Sequence, residues 1–194
     1  MDNRWNKEYA QGAHWEKGPS SQMKKFIKYL KPGYEVLDAG CGSGRDSIFL
    51  AKQGYVVTGV DISDVGIQKA KTHSKEQNLN IKFDVGNLEN LVIYTDKQFD
   101  AVYSGYTLQR TDLKKSSKEL ARILKPNGIA YIVMFELIKY DKPSERDLEI
   151  DHDYILKTFS DYFKILNQEV DEYFEDDQLG RHKHRRLVLV LRKK

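Results

Sequence analysis

Cysteine is almost absent: the chain of 194 residues has one, Cys41. A disulfide within the chain is excluded, and a thiolate cluster for a metal ion is not available. Long apolar runs are missing too. The longest, such as Leu187 to Leu191, fall far short of the roughly 20 residues a membrane-spanning helix needs. The opening MDNRWNKEYA lacks the apolar core of a secretory leader. These absences predict a soluble, cytoplasmic protein without a membrane partner. Neither repeats nor low-complexity linkers interrupt the chain, and its length suits one domain.

What is present is an ordinary globular composition, 40% hydrophobic and 31% charged, with a net charge of +3. The charge is uneven. Seven of the 32 bases and none of the 29 acids lie between Arg181 and Lys194, so the rest carries an excess of four negative charges. A body this close to neutrality gives no electrostatic case for gripping a long nucleic acid. The basic residues from Arg181 to Arg186 are expected to pair with Asp171, Glu172, Glu175, Asp176 and Asp177 across a hairpin.

Strand and helix signals alternate, which predicts a mostly parallel sheet covered on both faces. Strands are expected at 34–38, 55–60, 80–85, 99–104 and 129–135. Helices are expected at 23–30, 45–53, 63–77 and 116–124, the last stopping before Pro126-Asn127-Gly128. After a helix at 154–159, strands at 162–170 and 185–191 flank an acidic, turn-rich connection at 172–180. So short a connection makes the last two strands antiparallel. The predicted fold is therefore α/β and Rossmann-like: seven strands, mostly parallel, helices on both faces, and a C-terminal antiparallel hairpin. Residues 1–194 form one domain, with 1–20 as an aromatic, lid-like segment before a core of 21–194.

The informative stretch is Val36-Leu37-Asp38-Ala39-Gly40-Cys41-Gly42-Ser43-Gly44-Arg45-Asp46, where a strand enters a glycine-rich turn that opens a helix. Glycines let the backbone take positive φ and approach a ligand closely. Val57-Thr58-Gly59-Val60-Asp61 then places a carboxylate at the end of the next strand, suited to accept from two ribose hydroxyls. The glycine spacing, 40, 42 and 44, departs from the dinucleotide fingerprint, and Asp38 would repel a pyrophosphate. S-adenosylmethionine carries no phosphate, and Asp38 is placed to pair with its ammonium group.

LDAGCGSGRDSIFLAKQGYVVTGVDIS resembles the glycine-loop and ribose-acid motifs of class I S-adenosylmethionine-dependent methyltransferases. The resemblance continues through Phe99-Asp100-Ala101-Val102 and Leu124-Lys125-Pro126-Asn127-Gly128. Its G-S-G-R-D-S form and aromatic N-terminus look like the small-molecule branch, which includes tellurite-resistance and thiopurine-type enzymes. By this resemblance, Asp38, Gly40, Cys41, Gly42 and Gly44 hold the cofactor's amino-acid end. Asp61 holds the ribose and Ile62 covers the adenine. Asn87, with Leu88, stands where the family usually has an Asp that reads the adenine amino group; its amide oxygen can still accept that bond. Tyr103 or Ser104 approaches the sulfonium.

The methyl acceptor is implied to be a small molecule. Cys41 is the only thiol and lies in the cofactor loop, so the nucleophile for C5-methylation of cytosine is missing. Val102-Tyr103-Ser104-Gly105-Tyr106 also lacks the Asn/Asp-Pro-Pro-aromatic turn of enzymes that methylate exocyclic base amines. Acceptor-side candidates are Tyr9, Trp15, Tyr106, Arg110, His182 and His184. Tyr9 and Trp15 belong to the lid-like segment, whose aromatic faces suit a cationic sulfonium. His182 and His184 share one strand face; they read first as solvated residues at a hairpin end, and no further metal ligand is apparent. The alternatives are a methyltransferase for RNA or protein, a nicotinamide-dependent oxidoreductase, or a noncatalytic adenosyl-nucleoside binder.

Overall fold

A computed structural model describes residues 3–12, 18–177 and 180–194. Trp15 lies outside the described residues. Helix α1 (Asn3–Ala10) is followed by α2 (Met23–Phe26), which continues as a 3-10 turn, Ile27–Tyr29. Strands β1 (Glu35–Ala39) and β2 (Val56–Asp61) flank α3 (Arg45–Lys52), and α4 (Asp64–Glu76) leads to β3 (Lys82–Val85). Then come β4 (Phe99–Gly105), a 3-10 turn at Leu108–Arg110, α5 (Leu113–Ile123) and β5 (Leu124–Tyr140). The chain ends with β6 (Leu148–Glu149), α6 (His152–Ser160), β7 (Phe163–Asp177) and β8 (Gly180–Lys193).

Among the described residues these strands form one sheet in the order β3-β2-β1-β4-β5-β8-β7, with β6 paired to β5. The first five strands of that path are parallel. β8 runs antiparallel between β5 and β7. The seven strands expected from the sequence form the main path, and the two-residue β6 is an addition. Order reverses between β1 and β4, which marks the crevice beyond their C-terminal ends as the place for a ligand.

Burial on both faces explains the parallel strands: β1 and β2 are exposed only at their first residues. Leu37, Val102, Ile132 and Leu189 pack toward Leu120 of α5 and Phe159 of α6. Val36, Val57, Tyr103 and Val190 pack the other way, against Met23 and Phe26 of α2 and Leu50 of α3. Caps fix the helix starts: the Ser63 hydroxyl accepts from Gly66 N–H at 3.0 Å, and Asp112 accepts from Lys114 and Lys115 N–H.

Three expectations need correction. The connection at 172–180 is strand as far as Asp177. Register pairs Asp171 with Arg186, Glu172 with Arg185, Glu175 with His182 and Asp176 with Arg181, so cross-strand charge overrides the weak strand propensity of the acids. Pro126-Asn127-Gly128 lies inside β5. There Asn127 takes φ 63°, beside a register shift between Phe99 and Ala101. His182 and His184 are not solvated: they are 4% and 5% exposed, enclosed by aromatic rings.

Candidate functional site

The glycine loop sits in the crevice. Gly40, Gly42 and Gly44 have φ of 84°, 55° and 84°, a region that disfavours a side chain. Gly40 N–H and Cys41 N–H both donate to Val60 O, at 2.8 and 3.0 Å, so the loop is clamped to the end of β2. Asp61 completes the clamp, accepting from Gly42 N–H at 2.9 Å and Ser63 N–H at 2.8 Å. Burial pushes the Asp61 carboxyl above its ordinary range, against the lowering effect of these backbone donors.

Asp38 lies beneath the loop, 2% exposed, and accepts from the Ser47 hydroxyl at 2.6 Å. Burial, reinforced by the neighbouring charge on Asp46, pushes its carboxyl up to about 7. A buried acid of this kind favours a cation next to it. Cys41 presents only its backbone to the crevice. Its side chain is buried with Ile67, Ala70 and Phe83, and burial raises the thiol well above its usual range.

Helix α1 closes over this loop. The Tyr9 ring is 7% exposed and occupies the space that a Cβ on Gly42 would need. Asn6 accepts from the Ser63 hydroxyl at 2.7 Å and donates to Asp64, while Lys69 Nζ donates to Tyr9 O. Glu8 also meets Arg146, in the segment after β5, at 3.4 Å. The N-terminal helix therefore bridges the loop after β2 and the segment after β5.

The remaining sequence candidates fall into different places. Ile62 is half-buried beside the loop. Asn87 is exposed at the rim, where its amide oxygen already accepts from Glu89 N–H at 2.9 Å. Leu88 turns into the core. Tyr103 and Ser104 are both buried before the strand ends: Tyr103 packs on Phe26 and Tyr131, and the Ser104 hydroxyl is held by Ala39 O at 2.9 Å. β4 runs one residue further than expected, so the side chains that emerge are Tyr106 and Thr107. Thr107 lies where a Cβ on Gly40 would collide with it. Nothing in the sequence beyond its position after the strand marked it out.

Tyr106 adopts φ 58°, an uncommon conformation for a bulky residue that aims its ring. The ring packs on Phe135 at 4.8 Å, and its hydroxyl accepts from Arg186 Nη1 at 3.1 Å. Arg110 follows on the 3-10 turn, half-buried; burial lowers its pKa first, then the charges of Arg4 and Arg146. Phe135 carries the contact on to His184 at 4.3 Å. Tyr9 thus lies on the glycine loop, Tyr106 and Arg110 follow the end of β4, and His184 lies one aromatic ring beyond Tyr106.

One buried acid went unnoticed in the sequence. Glu136, 1% exposed, lies between His152 Nδ1, within hydrogen-bonding reach, and Arg185 Nε, 3.1 Å away. Strand alternation puts Arg185 with Leu187, on the α6 side of the sheet. A cavity of about 370 Å³ opens there, lined by Glu136, Asp151, His152 and Arg185 among others. It is set apart from the glycine loop, and the convergent glycines and carboxylates make the crevice the better candidate site. The signal for Glu136 was a lone charge inside the apolar run Ile132-Val133-Met134-Phe135-Glu136-Leu137.

Residues 36–128, from β1 to the start of β5, match the family model of a methyltransferase domain. The sheet order and the C-terminal antiparallel strands around it make up the class I methyltransferase fold. In sequence, the chain is 40% identical over 124 residues to the ubiquinone biosynthesis O-methyltransferase of Coxiella burnetii, covering 57% of this chain and 52% of that one. It is 33% identical over 159 residues to the demethylmenaquinone methyltransferase of Lactobacillus johnsonii, with 77% and 62% covered. The chain thus spans little more than half the length of these curated relatives. A solved SAM-dependent methyltransferase from Methanosarcina mazei superposes with a TM-score of 0.74 at 26% identity, covering 87% of this chain and 96% of that one.

Proposed function

We propose that this chain transfers the methyl group of S-adenosylmethionine to a small-molecule acceptor. The observation that carries the reading is the clamp of three left-handed glycines above Asp38 and beside Asp61. Backbone without Cβ atoms lets Thr107 and Tyr9 close onto the loop, and two buried carboxylates suit a cationic, phosphate-free cofactor. Bound there, S-adenosylmethionine supplies a methyl group on a sulfonium whose leaving thioether is neutral, so no general acid is needed. Gly40, Gly42 and Gly44 would take its amino-acid end, Asp38 would balance the ammonium from below, and Asp61 would accept from the ribose at the rim. The half-buried Ile62 would lie against the adenine.

In this reading the protein's own contribution is alignment and exclusion of water. In-line displacement gains most from holding the two reactants in an attack geometry. Tyr9 and Thr107 narrow the crevice from opposite sides, and α1 acts as the lid. Tyr106 and Arg110 orient the acceptor. The relatives named for ubiquinone and demethylmenaquinone support a small acceptor. So does the basic run of β8, whose Arg186 and Lys183 are engaged by Asp171 and Glu172. The finer assignment, to the tellurite-resistance and thiopurine-type branch, rests on the G-S-G-R-D-S loop and the aromatic N-terminus.

The test is calorimetric titration with S-adenosylhomocysteine, with NAD in parallel. Micromolar binding of the first, weakened by Asp61→Ala, is expected. Binding of NAD alone would overturn the reading in favour of an oxidoreductase. Cofactor binding without turnover across a panel of small acceptors would leave a nucleoside-binding protein instead.

A further inference from the structure

We propose that Glu175, His182 and His184 form a binding site for a divalent transition-metal ion of the zinc type. Each offers one ligand atom, and the three atoms lie within 4.8 Å of one another. The antiparallel register is responsible. His182 and His184 are two residues apart on β8 and share a face, and Glu175 of β7 stands directly opposite His182.

The two imidazoles are set up differently, and each arrangement suits a ligand. His182 Nδ1 lies 3.1 Å from Gly180 O. A carbonyl can only accept, so Nδ1 carries the proton and the lone pair resides on Nε2. This is the orientation that outer hydrogen bonds impose on metal-binding histidines. His184 is 5% exposed, and among the described residues neither of its ring nitrogens has a hydrogen-bond partner. Leaving such a group unsatisfied is destabilising, and a metal bond would remove that penalty at one nitrogen. Glu175 Oε2 is 3.4 Å from His184 Nε2, too far for a good hydrogen bond.

The rings are also held in place. Tyr140 stacks on His182 at 4.3 Å, and Phe135 and Tyr173 flank His184 at 4.3 and 5.0 Å. Two rigid nitrogens and a carboxylate, half-exposed at the edge, are a donor set for zinc, cobalt or nickel rather than for calcium or magnesium. Metal–ligand bonds of about 2.0–2.1 Å require ligand atoms roughly 3.3 Å apart in a tetrahedron. Glu175 Oε2 is already at about that distance from His184 Nε2, and its side chain, 56% exposed, is able to adjust. Three protein ligands leave a fourth position for water or an oxygen or nitrogen donor of a small ligand. Because His184 packs on Phe135 and Phe135 on Tyr106, an occupied site would brace the acceptor side of the crevice.

The experiment is titration of the chelator-treated full chain with Co²⁺, followed by the visible bands of four- or five-coordinate cobalt, and with Zn²⁺ by calorimetry. One ion per chain is expected. Glu175→Gln, an exposed change that leaves the fold alone, should weaken binding about tenfold, and His184→Phe about 100-fold or more. The phenyl ring fills the same aromatic box, and circular dichroism checks that each variant is folded. Absence of binding by the wild type overturns the proposal. So does equal affinity in the wild type and a His182→Phe/His184→Phe variant, which would place the ion at another histidine.

Discussion

Gly42 shows how one missing methyl group can set the shape of a site. Its φ of 55° disfavours any side chain, and the space beside it is filled by the Tyr9 hydroxyl. Gly42→Ala should therefore lift α1 from the loop and strain the turn by about 1–2 kcal/mol. S-adenosylhomocysteine affinity should fall about tenfold or more, as read by calorimetry. Asp38 has a different signature. Its folded-state pKa, near 7, lies above the roughly 3.9 of an unfolded aspartate. The folded chain thus holds a proton that the unfolded chain has lost, so stability falls as pH rises from about 4 to 7. Asp38→Asn should flatten that part of a stability–pH profile measured by denaturant titration. A cofactor ammonium placed above Asp38 would favour the carboxylate, so binding near pH 6 should release protons, measurable by calorimetry in buffers of different ionisation enthalpy.

At the scale of elements, caps and strand pairing decide what the sequence makes visible. Helix α5 begins three residues earlier than its apolar pattern predicts because Asp112 caps it through two backbone N–H groups. Asp112→Ala should destabilise the fold, seen as a lower midpoint in urea with an unchanged slope. β1, β2 and β4 were legible because each is a short apolar run bounded by turns, and the glycine loop and Asp61 because their spacing along the chain is fixed by one strand–turn–helix unit. The acidic half of β7 was not, since it becomes a strand only when Arg186, Arg185 and His182 stand opposite. Glu175 could not be joined to the two histidines for the same reason: hairpin register, not local sequence, brings it there. Thr107 was hidden by a single residue of strand length. Glu136 was hidden because its partners come from α6 and β8.

Across the whole molecule, the seven basic residues that close the chain are distributed along β8 and its end rather than gathered into a groove. Several are engaged: Arg186 by Asp171, Lys183 by Glu172, and Lys193 by Leu124 O. Single-stranded RNA at physiological salt should consequently bind more weakly than the roughly 10⁻⁴–10⁻⁶ M of ordinary non-specific binders, as measured by fluorescence anisotropy. Tight binding with a steep salt slope would point to a nucleic-acid acceptor. No helix among the described residues is long and apolar enough to cross a membrane.

The lone cysteine gives this chain a built-in clock. Because Cys41 is unique and its thiol is buried against α4 and β3 with a raised pKa, a thiol-reactive dye can reach it only when the packing around the glycine loop opens. The labelling rate therefore counts those openings one by one, without any engineered probe. Slow labelling that slows further with S-adenosylhomocysteine would tie the openings to cofactor entry. Rapid labelling unaffected by that ligand would mean that the loop opens freely and that closure over it contributes little to binding.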